Sequence, residues 1–309
     1  MAKAQLPLRL SPRSLIFSYN GSVVLTKFLI ALLALTVPAI CQQSTPSSTD
    51  HGRIAKTEVP GQRFELKTLP GATLFAPQKL DKNKRVPLIV HFHGLAWLVE
   101  YSVAKALPRA VVITVQLGTG SSVYNRPFDK TETFRAILDE ARTTLGLKHD
   151  WWSVNLTAWS AGYGAVRAIL RDSENLKHVN GVLLLDGIHA SYSPEGKPLA
   201  DGGSVNASDL DSFLEFARLT VAGKKTFVIT HSQIFPAAYA STTECTNFLL
   251  NALNLARTMS PHDGPLSMRQ LTAVDAGRFH VRGYSGDTAP DHIDHIHAMS
   301  EWIRLLKVK

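Results

Sequence analysis

Residues 155–171 read Asn-Leu-Thr-Ala-Trp-Ser-Ala-Gly-Tyr-Gly-Ala-Val-Arg-Ala-Ile-Leu-Arg, a sequence typical of a strand, a sharp turn and a helix. The turn contains Ser160, which has Gly162 two residues after it and Ala158 two residues before it. This is the pattern of a nucleophile elbow, in which the serine has strained backbone angles and small neighbours let strand and helix approach. The alternative is that Ser160 is an ordinary N-cap of the following helix.

The first 39 residues differ from the rest of the chain. They hold four basic and no acidic residues, and an apolar run occupies residues 28–40. A basic segment, a short apolar segment and the small residues Val37 and Ala39 before a cleavage point predict a signal peptide over residues 1–39. The alternative is an uncleaved membrane anchor, but about 20 apolar residues are usually needed to span a bilayer. We therefore expect a secreted or periplasmic protein with no stable membrane insertion after cleavage.

The remaining chain is only weakly basic. The sequence has 33 Lys and Arg against 25 Asp and Glu, so removal of the four basic residues of the signal peptide leaves a formal charge of about +4. That charge gives no support to nucleic-acid binding. Residues 40–57 are rich in Gln, Ser, Thr and Pro and predict a flexible leader. Cys41 and Cys245 are the two cysteines, so a disulfide framework is not expected.

From residue 58 onward, apolar strands alternate with amphipathic helices. Two short extended runs, 63–66 and 72–76, predict an opening antiparallel pair. Further strands are predicted at 86–92, 110–115, in the elbow, and at 182–185, 225–230 and 278–284, and helices at 131–145, 208–221, 241–255 and 291–306, besides the one after the elbow. This alternation predicts one α/β domain over residues 58–309, with a mostly parallel central sheet and helices on both faces. Catalytic groups in such sheets collect at the carboxyl ends of the strands.

From about residue 58 to its end, the chain resembles the α/β-hydrolases of the serine esterase type. The resemblance is carried by His91-Phe92-His93-Gly94 at the end of an apolar strand, by residues 158–162, and by a late histidine after the last strand. It differs from the family pattern in having Ala158 at the first elbow position and a single glycine, Gly94, in the oxyanion loop. The resemblance implies the α/β-hydrolase fold and hydrolysis of a carboxylic ester in a small molecule or a polymer, without a cofactor.

The resemblance also implies roles for individual residues. Ser160 would attack the carbonyl carbon, and the backbone N–H of Ala161 would be one oxyanion donor. The second donor would be the N–H of Leu95 or Ala96, next to Gly94 in the same loop. Trp97 on this loop is placed where an aromatic ring could touch the acyl group.

Two histidines compete for the role of general base. His292 stands at the start of the closing helix, where the histidine of the family usually falls, and His295 lies one turn further along. His297 lies beside the apolar stripe of that helix and is expected to pack there.

Two carboxylates compete for orienting the histidine. Asp186 follows a buried strand directly, which would hold it rigidly at the sheet edge. Glu244 lies after the next strand, the commoner position in the family, but it also completes the capping box Ser241-Thr242-Thr243-Glu244. The sequence favours Asp186.

Two other classes of function are compatible with the sequence. His91 and His93 flank one apolar residue at a strand end, as metal ligands of some hydrolases do, and the closing Asp and His cluster offers further ligands. The second class is a hydrolase-fold protein that only binds a ligand and in which Ser160 is inert. A metal site does not require the corner at Ser160, whereas a serine hydrolase accounts for His93, Ser160 and His292 together.

Overall fold

The computed structural model describes residues 53–306 and 308. These residues belong to one unit, Gln43–Lys309. The predicted signal peptide, the alternative anchor and the leader up to residue 52 lie outside the described residues. Within the described residues, no helix combines the length and the apolar character needed to span a membrane.

The secondary structure follows the predicted alternation of strands and helices. The strands are β1 Gly61–Glu65, β2 Ala72–Pro77, β3 Pro87–Phe92, β4 Val111–Val115, β5 Ser153–Trp159, β6 Val179–Leu185, β7 Tyr192–Ser193, β8 Ser204–Val205, β9 Thr226–His231, β10 Thr258–Asp263, β11 Arg269–Ala276 and β12 Phe279–Tyr284. The α-helices are α1 Ala96–Ala106, α2 Ser121–Asn125, α3 Glu132–Leu145, α4 Tyr163–Arg171, α5 Ser173–His178, α6 Asp211–Val221, α7 Thr242–Ala252, α8 Ala289–His297 and α9 Met299–Trp302. Short 3-10 helices occupy Arg126–Phe128, Ser160–Gly162, Leu199–Asp201, Ala207–Asp209, Pro265–Ser267 and Ile303–Leu306.

Ten strands form one sheet in the order β1-β2-β4-β3-β5-β6-β9-β12-β11-β10. The six strands from β4 to β12 in this order are parallel, and antiparallel strands flank them on both sides. β7 and β8 form a separate two-stranded sheet. The predicted mostly parallel sheet and its opening antiparallel pair are therefore confirmed.

Both faces of the sheet are covered because side chains alternate along each strand. On β3, Leu88, Val90 and Phe92 pack in a core cluster with residues of α3, α4, α6 and α7. Ile89, between them in the sequence, packs in a second cluster with residues of α1, α8 and α9. The near-continuous apolar runs of the parallel strands reflect this burial on both faces.

Several elements differ from the sequence prediction, which has no counterpart of α1, α2, α5, β7 and β8. The closing helix, predicted to be continuous, is interrupted at Ala298 between α8 and α9 and ends in a 3-10 turn. The helix predicted to begin at residue 208 begins as α6 at Asp211, and Ser208 lies in a separate 3-10 turn. The hairpin of β10 and β11 has no counterpart in the prediction.

Candidate active site

The turn between β5 and α4 has the strained geometry of an elbow. Ser160 follows the last residue of β5 and has a φ of +47°, in the left-handed region that a residue with a Cβ rarely adopts. The chain then turns through a 3-10 helix into α4. A Cβ added to Gly162 would lie 2.1 Å from the carbonyl oxygen of Phe92 on β3. Glycine is therefore required at this second position, whereas Ala158 fits inside β5 and is fully buried.

Asp186 directly follows β6, the strand beside β5, and also has a left-handed φ, of +44°. Its carboxylate is buried and accepts two hydrogen bonds from Ser232, one from the backbone N–H at 2.9 Å and one from the hydroxyl at 2.7 Å. The next residue, Gly187, packs against the elbow: a Cβ added there would lie 2.6 Å from the nitrogen of Ser160. The carboxylate is thus held beside the elbow by two neighbouring strands.

His292 lies in the first turns of α8 and is paired with Asp186. Its Nδ1 is 2.8 Å from Asp186 Oδ2, and its side chain is 12% exposed. The indole of Trp159, the residue before the elbow serine, stacks on the imidazole with ring centroids 4.8 Å apart. The same indole donates a hydrogen bond to the carbonyl oxygen of His292 at 3.0 Å. The ring and the backbone of this histidine are therefore both fixed against the elbow strand.

The pKa of Asp186 is held below its ordinary value. Burial acts to raise this pKa, but the electrostatic interaction with nearby His295 and His292 and the hydrogen bonds from His292 and Ser232 outweigh that effect. Asp186 is consequently ionised at neutral pH. An ionised carboxylate facing Nδ1 of His292 keeps the proton on that nitrogen and leaves Nε2 as the free acceptor.

Ser160 Oγ and His292 are not joined by a hydrogen bond in the structure, within the residues that it describes. Two contacts connect the serine with the pair of His292 and Asp186: His292 stacks on Trp159, the residue before Ser160, and Gly187, the residue after Asp186, packs on the Ser160 backbone. Catalytic hydrogen bonds of an empty site are often longer than those of the substrate complex.

The loop after β3 is fixed by a second histidine. His93 and Gly94 have φ values of +68° and +127°. His91 Nε2 lies 2.7 Å from the carbonyl oxygen of His93, and His91 Nδ1 lies 2.8 Å from the Thr157 hydroxyl on β5. Because a carbonyl can only accept, Nε2 carries the proton and Nδ1 accepts from Thr157. Burial lowers the pKa of His91 to about 3, so this neutral ring is a brace for the strained loop.

Three backbone N–H groups near the serine have no intrahelical acceptor available. Ala161 lies in the first turn of the 3-10 helix after β5, Leu95 is the N-cap of α1, and Ala96 is the first residue of α1. The N–H of Gly94 is already used, because it donates to Gln116 Oε1 at 3.0 Å. Trp97 is half-buried and packs against the core cluster of α1 and α8.

The two alternative candidates from the sequence have other surroundings. His295 is fully buried, its Nδ1 is 2.7 Å from the Thr230 hydroxyl, and burial lowers its pKa to about 4. Glu244 Oε2 accepts hydrogen bonds from the N–H and hydroxyl of Ser241 and from the Tyr192 hydroxyl. The predicted capping box of α7 is thereby confirmed.

His91 and His93, which the sequence offered as metal ligands, make hydrogen bonds to other groups of the protein. Both ring nitrogens of His91 make hydrogen bonds within the loop, and His93 Nδ1 lies 2.9 Å from the Tyr124 hydroxyl. The His93 ring stacks on Trp159, as His292 does, with centroids 5.2 Å apart. Among residues 53–306 and 308, no three His, Cys, Asp or Glu side chains are grouped as metal ligands.

Ser160 and Ala161 open onto a cavity of about 450 Å³. Its wall also includes Gly120 and Ser121 after β4, and Tyr163 and Arg167 on α4. This volume lies in the range typical of small-molecule sites. Trp97 is not part of the described wall of this cavity.

Two contributors to the site were not predicted from the sequence. Ser232 donates twice to Asp186, and Gln116 accepts from Gly94 in the loop after β3. Each is a polar residue that follows the last residue of a parallel strand, β9 or β4. Polar residues at strand ends are therefore the signal that would have found them.

Comparison with known proteins gives similarities of structure alone. No family model matches this chain, and no curated protein matches it. Among solved structures, a mutant feruloyl esterase module from Clostridium thermocellum in complex with sinapinate has 11% identity and a TM-score of 0.46, covering 78% of this chain and 85% of its own. An S-formylglutathione hydrolase from Staphylococcus aureus has 10% identity and a TM-score of 0.42, with 80% and 99% covered. A truncated carbohydrate esterase from gut microbiota has 11% identity and a TM-score of 0.46, with 83% and 99% covered.

The fold can be assigned from this structure directly, by its strand order and by the strained backbone at Ser160. A parallel core with helices on both faces and a serine on the turn between β5 and α4 is the architecture of the α/β-hydrolases. The chain has the α/β-hydrolase fold, as the resemblance implied.

Proposed function

We propose that this protein is a serine hydrolase that cleaves a carboxylic ester through an acyl-enzyme intermediate. The observation that carries the proposal is the 2.8 Å hydrogen bond between His292 Nδ1 and Asp186 Oδ2, next to a serine with left-handed backbone angles. An ionised, buried acid, a histidine with one free nitrogen and an adjacent serine are the three parts of a catalytic triad.

In the proposed acylation step, Ser160 Oγ attacks the carbonyl carbon while His292 Nε2 takes the hydroxyl proton. The new Oγ–C bond gives a tetrahedral intermediate, whose collapse breaks the bond between the carbonyl carbon and the alcohol oxygen. His292 then returns the proton to the departing alcohol. Asp186 stabilises the imidazolium that exists between these two proton transfers.

The negative charge of the tetrahedral intermediate would be stabilised by backbone N–H groups. Ala161 supplies one donor, and Leu95 or Ala96 supplies the second. The hydrogen bond from His91 Nε2 to the carbonyl oxygen of His93 holds the loop that positions the second donor. Water then attacks the acyl-enzyme with His292 as base, releasing the carboxylic acid and regenerating Ser160.

The proposed chemistry needs only side chains, backbone N–H groups and water, so we propose that it proceeds without a cofactor. The substrate would be a small-molecule or polymer-linked ester. A secreted or periplasmic location, with residues 1–39 removed as a signal peptide, remains part of this proposal and rests on the sequence of those residues.

The experiment that tests the proposal is active-site labelling with a fluorophosphonate. Because only an activated serine attacks such a probe at a useful rate, we expect a single adduct on the peptide containing Ser160, located by mass spectrometry. The Ser160→Ala variant is the control and should not be labelled. A purified, folded protein that neither reacts with the probe nor hydrolyses p-nitrophenyl acetate would favour the alternative of a hydrolase-fold binding protein.

Replacement of His292, the proposed base, should abolish activity, whereas replacement of His295 should not. We expect His292→Ala to lower kcat by at least about a thousandfold, because both proton transfers are lost. His295→Asn should keep kcat within about tenfold and lower the melting temperature, because the replaced ring is buried against Tyr284 and Trp302.

The dependence of the hydrolysis rate on pH provides a second test of whether His292 or His295 is the base. A histidine must be neutral to act as base, so the rate is expected to fall in acidic solution. Burial lowers the pKa of His295 to about 4, so protonation of His295 is expected to affect the rate only at about that pH and below. An inactive His295→Asn beside an active His292→Ala would assign the base to His295 instead.

A further inference from the structure

Most residues in the wall of the cavity beside Ser160 carry a side chain that can form hydrogen bonds. Of its wall residues, only Gly120, Ala161 and Ala190 are non-polar, and none has a side chain larger than a methyl group. A long alkyl chain placed there would cover hydrogen-bonding groups without pairing them, which costs about 1–3 kcal/mol for each group. The cavity is therefore a poor site for a fatty acyl chain and a good one for a group that forms hydrogen bonds.

A guanidinium and a carboxylate lie side by side in this wall. Arg167 Nη1 is 3.5 Å from Asp209 Oδ1, and the two side chains are 15% and 23% exposed. The Nε of Arg167 is buried without a hydrogen-bond partner in the described residues. Asp209 Oδ2 accepts from the N–H and hydroxyl of Ser191, which fixes the carboxylate and leaves Oδ1 facing only the long contact with Arg167.

The charges of this pair select against ionised ligands. A carboxylate entering the cavity would meet Asp209, and an ammonium group would meet Arg167, so neither charge is favoured. A hydroxyl group both donates and accepts, and two adjacent hydroxyls can bridge a guanidinium and a carboxylate. The pair is thus complementary to a neutral diol.

Aromatic rings complete the same wall. The guanidinium of Arg167 lies over the ring of Tyr163 at 5.4 Å, and Tyr163 contacts the ring of His189 edge to face. Tyr239, which is 45% exposed, contacts His189 from another side with centroids 5.0 Å apart. His189 Nδ1 is 2.9 Å from the carbonyl oxygen of Ala240 and must donate to it, so Nε2 is an acceptor. Burial lowers the pKa of His189, which keeps the ring neutral.

We infer that this cavity binds a sugar residue of the ester substrate. The inference rests on the proposed function and specifies its substrate class. A pyranose ring presents hydroxyl groups at its edge and C–H groups on its faces, and this wall offers charged hydrogen-bonding groups next to aromatic surfaces. The hydroxyls pair with Arg167, Asp209 and the acceptor nitrogen of His189, and one face packs on the exposed ring of Tyr239.

The test compares two matched pairs of esters, one for each half of the bond. The first pair is an O-acetylated methyl pyranoside and cyclohexyl acetate; the second is the methyl ester of a methyl uronoside and methyl cyclohexanecarboxylate. We expect the sugar member of at least one pair to have a kcat/KM at least about a hundredfold higher, because a site with paired polar groups rejects an analogue that lacks the hydroxyls. Equal kcat/KM values within both pairs, or a preference for p-nitrophenyl esters of long fatty acids, would overturn the inference.

Variants with matched controls locate the effect. Asp209→Asn and Arg167→Met should each raise KM for the preferred sugar ester at least about tenfold and lower its kcat/KM relative to that of p-nitrophenyl acetate. Asp211→Asn and Arg171→Met change exposed residues nearby, one at the start of α6 two residues after Asp209 and one on α4 about a turn after Arg167, and should leave both substrates unaffected. The double variant, which removes both charges together, keeps the test valid if a single variant misfolds. Unchanged selectivity in the folded double variant would contradict the inference.

The two levels of the proposal fail in different ways. Loss of fluorophosphonate labelling and of p-nitrophenyl acetate hydrolysis in the wild-type protein would remove the serine hydrolase itself. Labelling of Ser160 together with indifference to the sugar hydroxyls would leave the serine hydrolase standing and remove only the sugar site.

Discussion

Replacement of Ser160 by alanine is expected to lower kcat for ester hydrolysis by a factor of about 10⁵ to 10⁶, with little change in the folded structure. The size of the effect follows from removing the atom that forms the acyl-enzyme, after which only binding and the oxyanion donors remain. The hydroxyl is not a structural cap, because the 3-10 helix that it begins has Trp159 as its N-cap and no side-chain hydrogen bond at that position. The measurement is kcat for p-nitrophenyl acetate beside the thermal melting temperature.

Ser160→Gly separates the chemistry of this position from its backbone strain. The φ of +47° costs a serine or an alanine conformational energy that glycine does not pay. We expect the glycine variant to be as inactive as the alanine variant and to melt at the same or a higher temperature. Activity of either variant within tenfold of wild type would show that Ser160 is not the nucleophile.

The sequence predicted those parts of the fold whose signal is local. Strands β3, β4 and β6 are continuous apolar runs because both of their faces are buried, and this composition is legible without a structure. β10 was missed for the opposite reason: it is an exposed edge strand containing Pro261, and it has neither an apolar run nor an alternating pattern. Its pairing with β11 is a tertiary property.

Of the two small residues that flank Ser160 in the elbow motif, the structure requires glycine at only one position. The sequence departs from the usual pattern at Ala158, and the structure accommodates that methyl group within the core. It does not accommodate one at Gly162, where the backbone of β3 leaves no room for a Cβ. Glycine is required here because two backbone segments, β3 and the elbow, approach closely. The sequence pattern alone does not reveal which of its small residues is essential.

The arrangement around the candidate triad could be predicted only in outline. Strand order brings the carboxyl ends of β3, β5, β6 and β9 to one edge of the sheet, and the candidate residues chosen from the sequence lie at those ends or pack against them. The stacking of Trp159 with both His93 and His292 depends on side-chain directions across three elements. The donation from Ser232 to Asp186 depends on the register of β6 against β9. Neither relation leaves a periodic trace in the sequence.

The acid is tested by a pair of isosteric amides, of which Asp186→Asn is expected to lower kcat by about 10⁴. Three donors meet this carboxylate: His292 Nδ1 and the Ser232 hydroxyl at Oδ2, and the Ser232 N–H at Oδ1. An amide has one acceptor oxygen, so its NH₂ group must face one of these donors. If it faces His292, the imidazole is driven to the tautomer that carries its proton on Nε2 and cannot accept from Ser160. If it faces Ser232, a buried backbone N–H loses its partner.

Glu244→Gln is the matched control, because it removes one carboxylate charge at a helix start without touching His292. Glu244 Oε2 accepts from Ser241 and Tyr192, so this change should lower stability by about 0.5–2 kcal/mol through the weakened capping box. We expect kcat within about twofold of wild type for this variant, measured beside its melting temperature and that of Asp186→Asn. A large loss of kcat in Glu244→Gln with an active Asp186→Asn would transfer the orienting role to Glu244. That transfer would require α7 to approach α8 in the substrate complex, because Glu244 is bonded to Ser241 and Tyr192 rather than to His292.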